Sequence, residues 1–115
     1  MSSETIFHKI IKREIPADIV YEDEQVVAFN DINPVGPKHV LIVPKKTIPS
    51  LREVTASDES VLGHMLVVVK QLANKYGLDE GGYRVVINAG EGAGQTVFQL
   101  HMHLIGGRSM EWPPG

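Results

Sequence analysis

Apolar positions along this chain recur first at helical spacing, then in alternation, then at helical spacing again, and finally in alternation. Across residues 5–13, Ile6, Phe7, Ile10 and Ile11 share one side of a short helix, and Ile15-Pro16 ends it because proline cannot continue the ladder. Ile19-Val20-Tyr21 and Val26-Val27-Ala28-Phe29 are rich in β-formers, and the acidic Glu22-Asp23-Glu24 between them predicts a hairpin. Residues 31–38 are dense in turn formers, and residues 39–44 follow as a largely buried strand closed by Lys45-Lys46. One long helix is predicted from about Ser57 to Tyr76, with Thr55 and Asp58 as a capping box and Gly77 as the stop. On it Val61, Leu62, Met65, Leu66, Val68, Val69, Leu72, Ala73 and Tyr76 fill an arc of about 160°. Val67 falls opposite, beside Gly63 and His64, either as a harmless stray or as a second face for a partner helix. Residues 83–88 read as a strand, residues 89–96 as a Gly-rich loop, and Trp112-Pro113-Pro114-Gly115 as an extended tail with Trp112 buried against something.

The last alternating stretch, residues 98–104, carries the chemistry. As a strand it puts Phe98, Leu100, Met102 and Leu104 on a core face, and Gln99, His101 and His103 on the other, ~7 Å apart along the chain. Two imidazoles in a row add little to packing and much to a site that moves protons, binds a metal or attacks an electrophile. A neutral imidazole can attack phosphorus to give a phospho-imidazole that water then hydrolyses. The backbone of residues 92–96 and the Thr96 hydroxyl are placed to surround phosphate oxygens. His101 and His103 make a nucleophile and its partner, and the strand alone does not say which is which. The rival chemistry is a zinc or iron site built from His101, His103 and His39, with Asp31. His8 and His64 lie on helices away from this cluster and read as structural or surface residues.

Composition narrows the field. At 115 residues the chain makes a single domain, residues 1–115, and its 43% hydrophobic and 22% charged content is ordinary for a globular protein. A formal net charge of -3 argues against a nucleic-acid coat but not against a nucleotide in a local pocket. With no cysteine there is no disulfide framework and no thiolate metal site. The longest apolar runs, such as Met65–Val69, fall far short of the ~20 residues a membrane span needs. A cytoplasmic protein is expected, nuclear as well if the source is eukaryotic.

At Gln95-Thr96-Val97-Phe98-Gln99-Leu100-His101-Met102-His103-Leu104-Ile105-Gly106-Gly107-Arg108 the chain resembles the histidine triad (HIT) family, whose signature is His-φ-His-φ-His-φ-φ with φ apolar. It is most similar to the Hint branch, the purine nucleoside phosphoramidases once described as protein kinase C inhibitors. The likeness extends through Thr5-Ile6-Phe7, Glu14-Ile15-Pro16-Ala17, Tyr21-Glu22-Asp23, Phe29-Asn30-Asp31-Ile32, Val43-Pro44-Lys45-Lys46, Val86-Ile87-Asn88 and the closing Trp112-Pro113-Pro114-Gly115. The resemblance implies an α+β, HIT-like fold: a five-stranded antiparallel sheet with one short N-terminal and one long helix, pairing to a ten-stranded sheet in a homodimer with the long helices at the interface. It implies hydrolysis of phosphoramidates and acyl-phosphate adducts of purine nucleoside monophosphates (AMP, GMP), such as adenosine 5'-phosphoramidate and lysyl-AMP, with no metal or other cofactor. By position in the motif His101 corresponds to the nucleophile, His103 to the phosphate and leaving-group partner, and His39 to a supporting fourth histidine. Asn88, Gly94, Gln95 and Thr96 correspond to phosphate-binding positions, and Asp31 to the carboxylate on the ribose hydroxyls. Ile6, Phe7, Ile10, Phe29 and Ile32 correspond to the base slot, and Trp112 to a residue reaching the partner's site.

Two positions depart from the pattern. Where the triad begins with His this chain has Gln99, which cannot carry a charge or act as a base but still donates and accepts hydrogen bonds. If the first triad residue positions its neighbour through its backbone carbonyl, Gln99 preserves the chemistry. If the imidazole itself is needed, the protein is a purine nucleotide-binding regulatory module with weak or no turnover. Thr96, where relatives often have Ser, keeps the hydroxyl.

Overall fold

The computed structural model describes residues 4–115. Thr5 opens the first helix, α1 (Ile6–Ile11): its hydroxyl accepts from the backbone N–H of Phe7 and His8, and the His8 ring returns a contact to the Thr5 backbone. The helix stops before Pro16, in a turn where the Glu14 N–H reaches the Lys9 carbonyl and Arg13 takes the left-handed conformation at φ 64°. The predicted hairpin forms as β1 (Ile19–Glu22) and β2 (Val26–Asn30), antiparallel. Asp23 caps the connection, its Oδ1 accepting from the N–H of Gln25 and Val26.

Strand β3 (Lys38–Pro44) pairs with β2 on one side and with β5 (Met102–Gly106) on the other. Strand β4 (Tyr83–Val86) closes the far edge, giving an antiparallel sheet in the order β1-β2-β3-β5-β4. The fold is therefore the expected α+β arrangement. The last strand is shorter than its alternation predicts, starting at Met102 rather than Phe98. Register explains it: Ile42 faces Met102, so two positions further on Leu100 would face Pro44, which has no N–H to give, and the Leu100 N–H turns to the Ile48 carbonyl instead. Phe98 is accordingly 39% exposed instead of lying on the core face.

Alternation within β2, β3 and β5 divides the sheet into two apolar faces. Val26, Ala28, Val40, Ile42, Met102 and Leu104 pack against the long helix α2 (Glu59–Lys75) through Val61, Met65, Val68, Val69, Leu72 and Ala73. A 3₁₀ turn at Ala56–Asp58 precedes α2, with the Thr55 N–H on Asp58 Oδ2 at 3.0 Å. Gly77, at φ 69°, ends it, and the Leu78 N–H returns to the Ala73 carbonyl. Leu66 departs from the expected core arc; it and Val67 are each 51% exposed. The opposite face carries Val27, Phe29, Leu41 and Val43 against Phe7 and Ile10 of α1. His39 and His103 project to that second face, so a two-residue period separates the core from the chemistry.

Candidate active site

Beside α1 the second face opens into a cavity of about 290 Å³, lined by Ile6, Phe7, Ile10, Phe29, Leu41 and Val97 on its apolar side. Asp31, Ile32, Thr96, His101 and His103 complete the wall, with Ile15, Pro16, Ala17, Asn30 and Asn33. Strand periodicity, helical spacing and a turn motif thus converge on one volume. The Phe7 ring meets Phe29 edge-on at 5.4 Å and His101 edge-on at 4.9 Å. His101 is thereby held against the apolar slot, with the His103 ring 5.0 Å away.

The hydrogen-bond partners assign each ring its tautomer. Nδ1 of His101 lies 2.7 Å from the Gln99 carbonyl, which only accepts, so Nδ1 carries the proton and Nε2 keeps its lone pair. His39 Nδ1 accepts from the Val35 N–H at 3.2 Å, which puts the His39 proton on Nε2. That Nε2–H donates to His103 Nδ1 at 2.9 Å, and the His103 proton is left on Nε2. Nε2 of His103 is buried and has no partner among the described residues. A buried donor without an acceptor is costly, and an acceptor on a bound ligand removes the cost.

All three rings are held neutral. Burial pushes the pKa of His101 below the ordinary histidine value, against the Gln99 carbonyl and Asp31, which favour the charged form. Burial likewise lowers His39, with Asp31 opposing. His103 is pushed down to about 4, by burial first and then by His101 and His39. Asp31 Oδ1 accepts from the Asn33 N–H at 2.8 Å, while its Oδ2 lies 3.5 Å from His39 Nε2. Asp31, His39 and His103 each bring a ligand atom within 4.8 Å of the others, so these three could approach a cation. A metal there would have to break the His39–His103 hydrogen bond.

A family model of the HIT domain matches residues 12–110. The chain belongs to the HIT family. It is similar to an uncharacterized HIT-like protein of Synechococcus elongatus, 57% identical over the full length of both chains. It is also 49% identical over 110 residues, 96% of this chain and 92% of the relative, to the purine nucleoside phosphoramidase of Escherichia coli. Among solved structures, a HIT family hydrolase from Legionella pneumophila superposes with a TM-score of 0.96 at 47% identity, covering 97% of this chain and 100% of that one. A HIT family hydrolase from Clostridium thermocellum superposes at 0.92 with 46% identity, covering 96% of each chain.

The structure moves several expected HIT site residues out of the cavity. The Gln99 side chain is fully buried behind it: Oε1 accepts from the Ile48 N–H at 3.1 Å, and Nε2 donates to the carbonyls of Pro44 and Lys46 at 2.9 and 2.8 Å. What Gln99 offers the site is its backbone carbonyl. Gln95 is also committed elsewhere: Oε1 accepts from the Gly90 N–H, and Nε2 donates to the carbonyls of Pro49 and Val97. The N–H groups of Ala93, Gly94 and Gln95 bond back to Gly90 and Glu91, so much of the expected backbone cradle is used inside its own loop. Thr96 remains on the wall. Asn88 and Gly94 neighbour one another, since a Cβ on Gly94 would sit 3.9 Å from Asn88 Nδ2, but neither lines the cavity. Trp112 is 82% exposed on the single chain and does not line the cavity. His8 and His64 stand apart as expected, His8 bonding Thr47 Oγ1 and His64 bonding Asp23. Sequence reasoning missed Leu41, which the period from His39 on β3 would have found, and Val35, for which no sequence signal exists.

Proposed function

We propose that this chain is a nucleoside phosphoramidase, cleaving the P–N bond of purine nucleoside 5'-phosphoramidates such as AMP-NH2 and AMP-lysine through a nucleotidyl-His101 intermediate. The observation that carries the reading is the His101 Nδ1–H on the Gln99 carbonyl, which leaves a neutral Nε2 as the nucleophile. In the proposed reaction the base enters the apolar slot of Phe7, Ile10 and Phe29, and the Asp31 carboxylate receives the ribose hydroxyls. Nε2 of His101 attacks phosphorus, the P–N bond breaks, and the departing nitrogen takes a proton from water. Water then displaces the nucleoside monophosphate and restores the imidazole. His103, neutral and with no partner for its Nε2–H among the described residues, donates to the phosphoryl group as its charge develops. The similarity to the Escherichia coli purine nucleoside phosphoramidase supports the reaction class. The buried, three-fold bonded Gln99 side chain supports the reading that its carbonyl, not a third imidazole, is what the chemistry needs. The protein is further proposed to act as a homodimer.

Single-turnover hydrolysis of a fluorogenic adenosine phosphoramidate in excess EDTA tests this. The wild type should turn over, and His101→Ala should lose a factor on the order of 10³ or more while binding AMP within a few-fold. Turnover abolished by EDTA and restored by a divalent metal would favour the Asp31–His39–His103 cation site instead. No turnover with intact AMP binding would make the protein a nucleotide-binding module.

A further inference from the structure

Three hydrogen bonds run in series from the surface to the cavity, and they begin at a residue outside it. Arg108 is exposed, two positions past the end of β5, and its Nε donates to the Val35 carbonyl at 2.8 Å. A second guanidinium nitrogen donates to the Ser109 carbonyl at 3.1 Å. Val35 in turn donates its N–H to His39 Nδ1, and His39 donates Nε2–H to His103. We propose that Arg108 is a positioning residue that, by holding Val35 in place, sets the tautomer of His39 and so decides whether His103 presents a donor or a lone pair to the substrate. This rests on the phosphoramidase reading for its kinetic consequence but not for the tautomer itself.

Val35 needs such a hold because its own side chain supplies none: it is 54% exposed. The loop carrying it passes very close to the end of β5. A Cβ on Gly36 would meet the Gly106 carbonyl oxygen at 3.3 Å and Arg108 Nε at 3.4 Å, and one on Gly107 would meet Pro37 Cβ at 2.9 Å. Those glycines permit the approach, and the Arg108 hydrogen bond fixes the peptide within it.

The tautomer matters because the histidines are neutral, so each ring has one donor and one acceptor. Without the Val35 N–H, His39 loses the donor that keeps its Nδ1 bare, and the Asp31 carboxylate, 3.5 Å from Nε2, is all that still favours the proton there; a proton on Nδ1 turns a lone pair toward His103. His103 must then donate from Nδ1, and its Nε2 faces an anionic phosphoryl group with a lone pair. One misplaced proton converts attraction into repulsion at the reacting centre. His101 stays outside this chain, since its own tautomer is set by the Gln99 carbonyl.

The test combines histidine side-chain ¹⁵N NMR on the ligand-free full chain with steady-state kinetics on adenosine phosphoramidate, for wild type, Arg108→Ala, Arg108→Lys and Val35→Pro. Val35→Pro deletes the N–H itself. In the wild type, His39 and His103 should both show protonated Nε2 and bare Nδ1. In Arg108→Ala and Val35→Pro, His39 should shift to a mixture of tautomers and kcat should fall ~10-fold or more, with KM within a few-fold and the His101 signals unchanged. Arg108→Lys, which retains one donor, should recover most of both. A wild-type His39 tautomer in Arg108→Ala, or a loss confined to thermal stability, would overturn the proposal. If Val35→Pro does not fold, the two Arg108 variants decide the matter alone, because Arg108 is on the surface. The NMR arm needs no turnover, so an inactive wild type would sink the phosphoramidase reading while the positioning role is still read from the tautomers.

Discussion

At the residue scale the decisive fact is that Gln99 and His101 divide the labour of one stretch of backbone. The Gln99 amide ties the exit of β3 down through three hydrogen bonds, and its carbonyl orients the His101 ring. Gln99→His should therefore leave turnover comparable to wild type. It should cost ~1 kcal/mol of stability, because an imidazole replaces two amide donors and an acceptor with fewer groups. Gln99→Leu strands the Ile48 N–H and the Pro44 and Lys46 carbonyls, and should cost roughly 3 kcal/mol or more in urea unfolding. A Gln99→Leu protein as stable as wild type would show that these bonds contribute nothing. His101 and His103 were legible before the structure because their type and period carry chemistry, whereas His39 and Asp31 entered through a rival metal reading and through the resemblance to the HIT family. The direction of the Gln99 side chain was not legible, since alternation presumes a ladder that continues past Pro44. The Gln95 amide was equally hidden: a Gly-rich loop reads the same whether its polar groups face a ligand or one another.

Elements supply what single residues cannot, a fixed approach between the turn after β2 and the end of β5. That approach depends on Gly107, which sits at φ 89° with Pro37 directly above it. Gly107→Ala adds a Cβ in the left-handed region against a rigid ring, so it should destabilise by roughly 1–3 kcal/mol. Chemical unfolding measures this, and a Gly107→Ala protein of wild-type stability would mean that the turn yields without cost. Element identity and order were readable from period alone: both helices, the hairpin and the strands appear where the apolar spacing changes. Boundaries were less so, because they depend on tertiary events. Strand β5 begins late for want of a proline N–H, and α1 ends early in a left-handed Arg13 that no propensity favours. Likewise, Leu66 satisfies the helical period and still lies outside the core, because the sheet under α2 covers a narrower arc than the apolar stripe.

For the whole molecule, pH and association are the two levers. His39, His101 and His103 have folded pKa values below the ordinary ~6.5 of an unfolded histidine, His103 at about 4. Between those values the unfolded chain binds more protons, so stability should be flat above pH ~6.5 and fall as pH drops from there toward 4. Below that, a second loss is expected from Asp23. Burial alone would raise its pKa, but hydrogen bonds from Tyr21, His64 and the N–H groups of Gln25 and Val26 hold it well below the usual carboxylate range. His103→Asn should flatten the first slope and spare the second, read from urea midpoints across the pH range. The single chain leaves apolar surface and a strand edge uncovered. Leu66 and Val67 project from α2 at 51% exposure each, Trp112 at 82%, and β4 is an edge strand. An isologous pairing of α2 on α2 and β4 on β4 would cover the helix face and remove that edge, continuing the sheet across two copies. Val67→Glu places a charge at the middle of that face while disturbing nothing in the chain's own core. Its folding stability should change by no more than ~0.5 kcal/mol. Light scattering should then give twice the 12.7 kDa chain mass for wild type and the single mass for Val67→Glu at micromolar concentration. A wild type that scatters as one chain at every concentration would remove the dimer and leave Val67 as a stray apolar residue on a solvated helix.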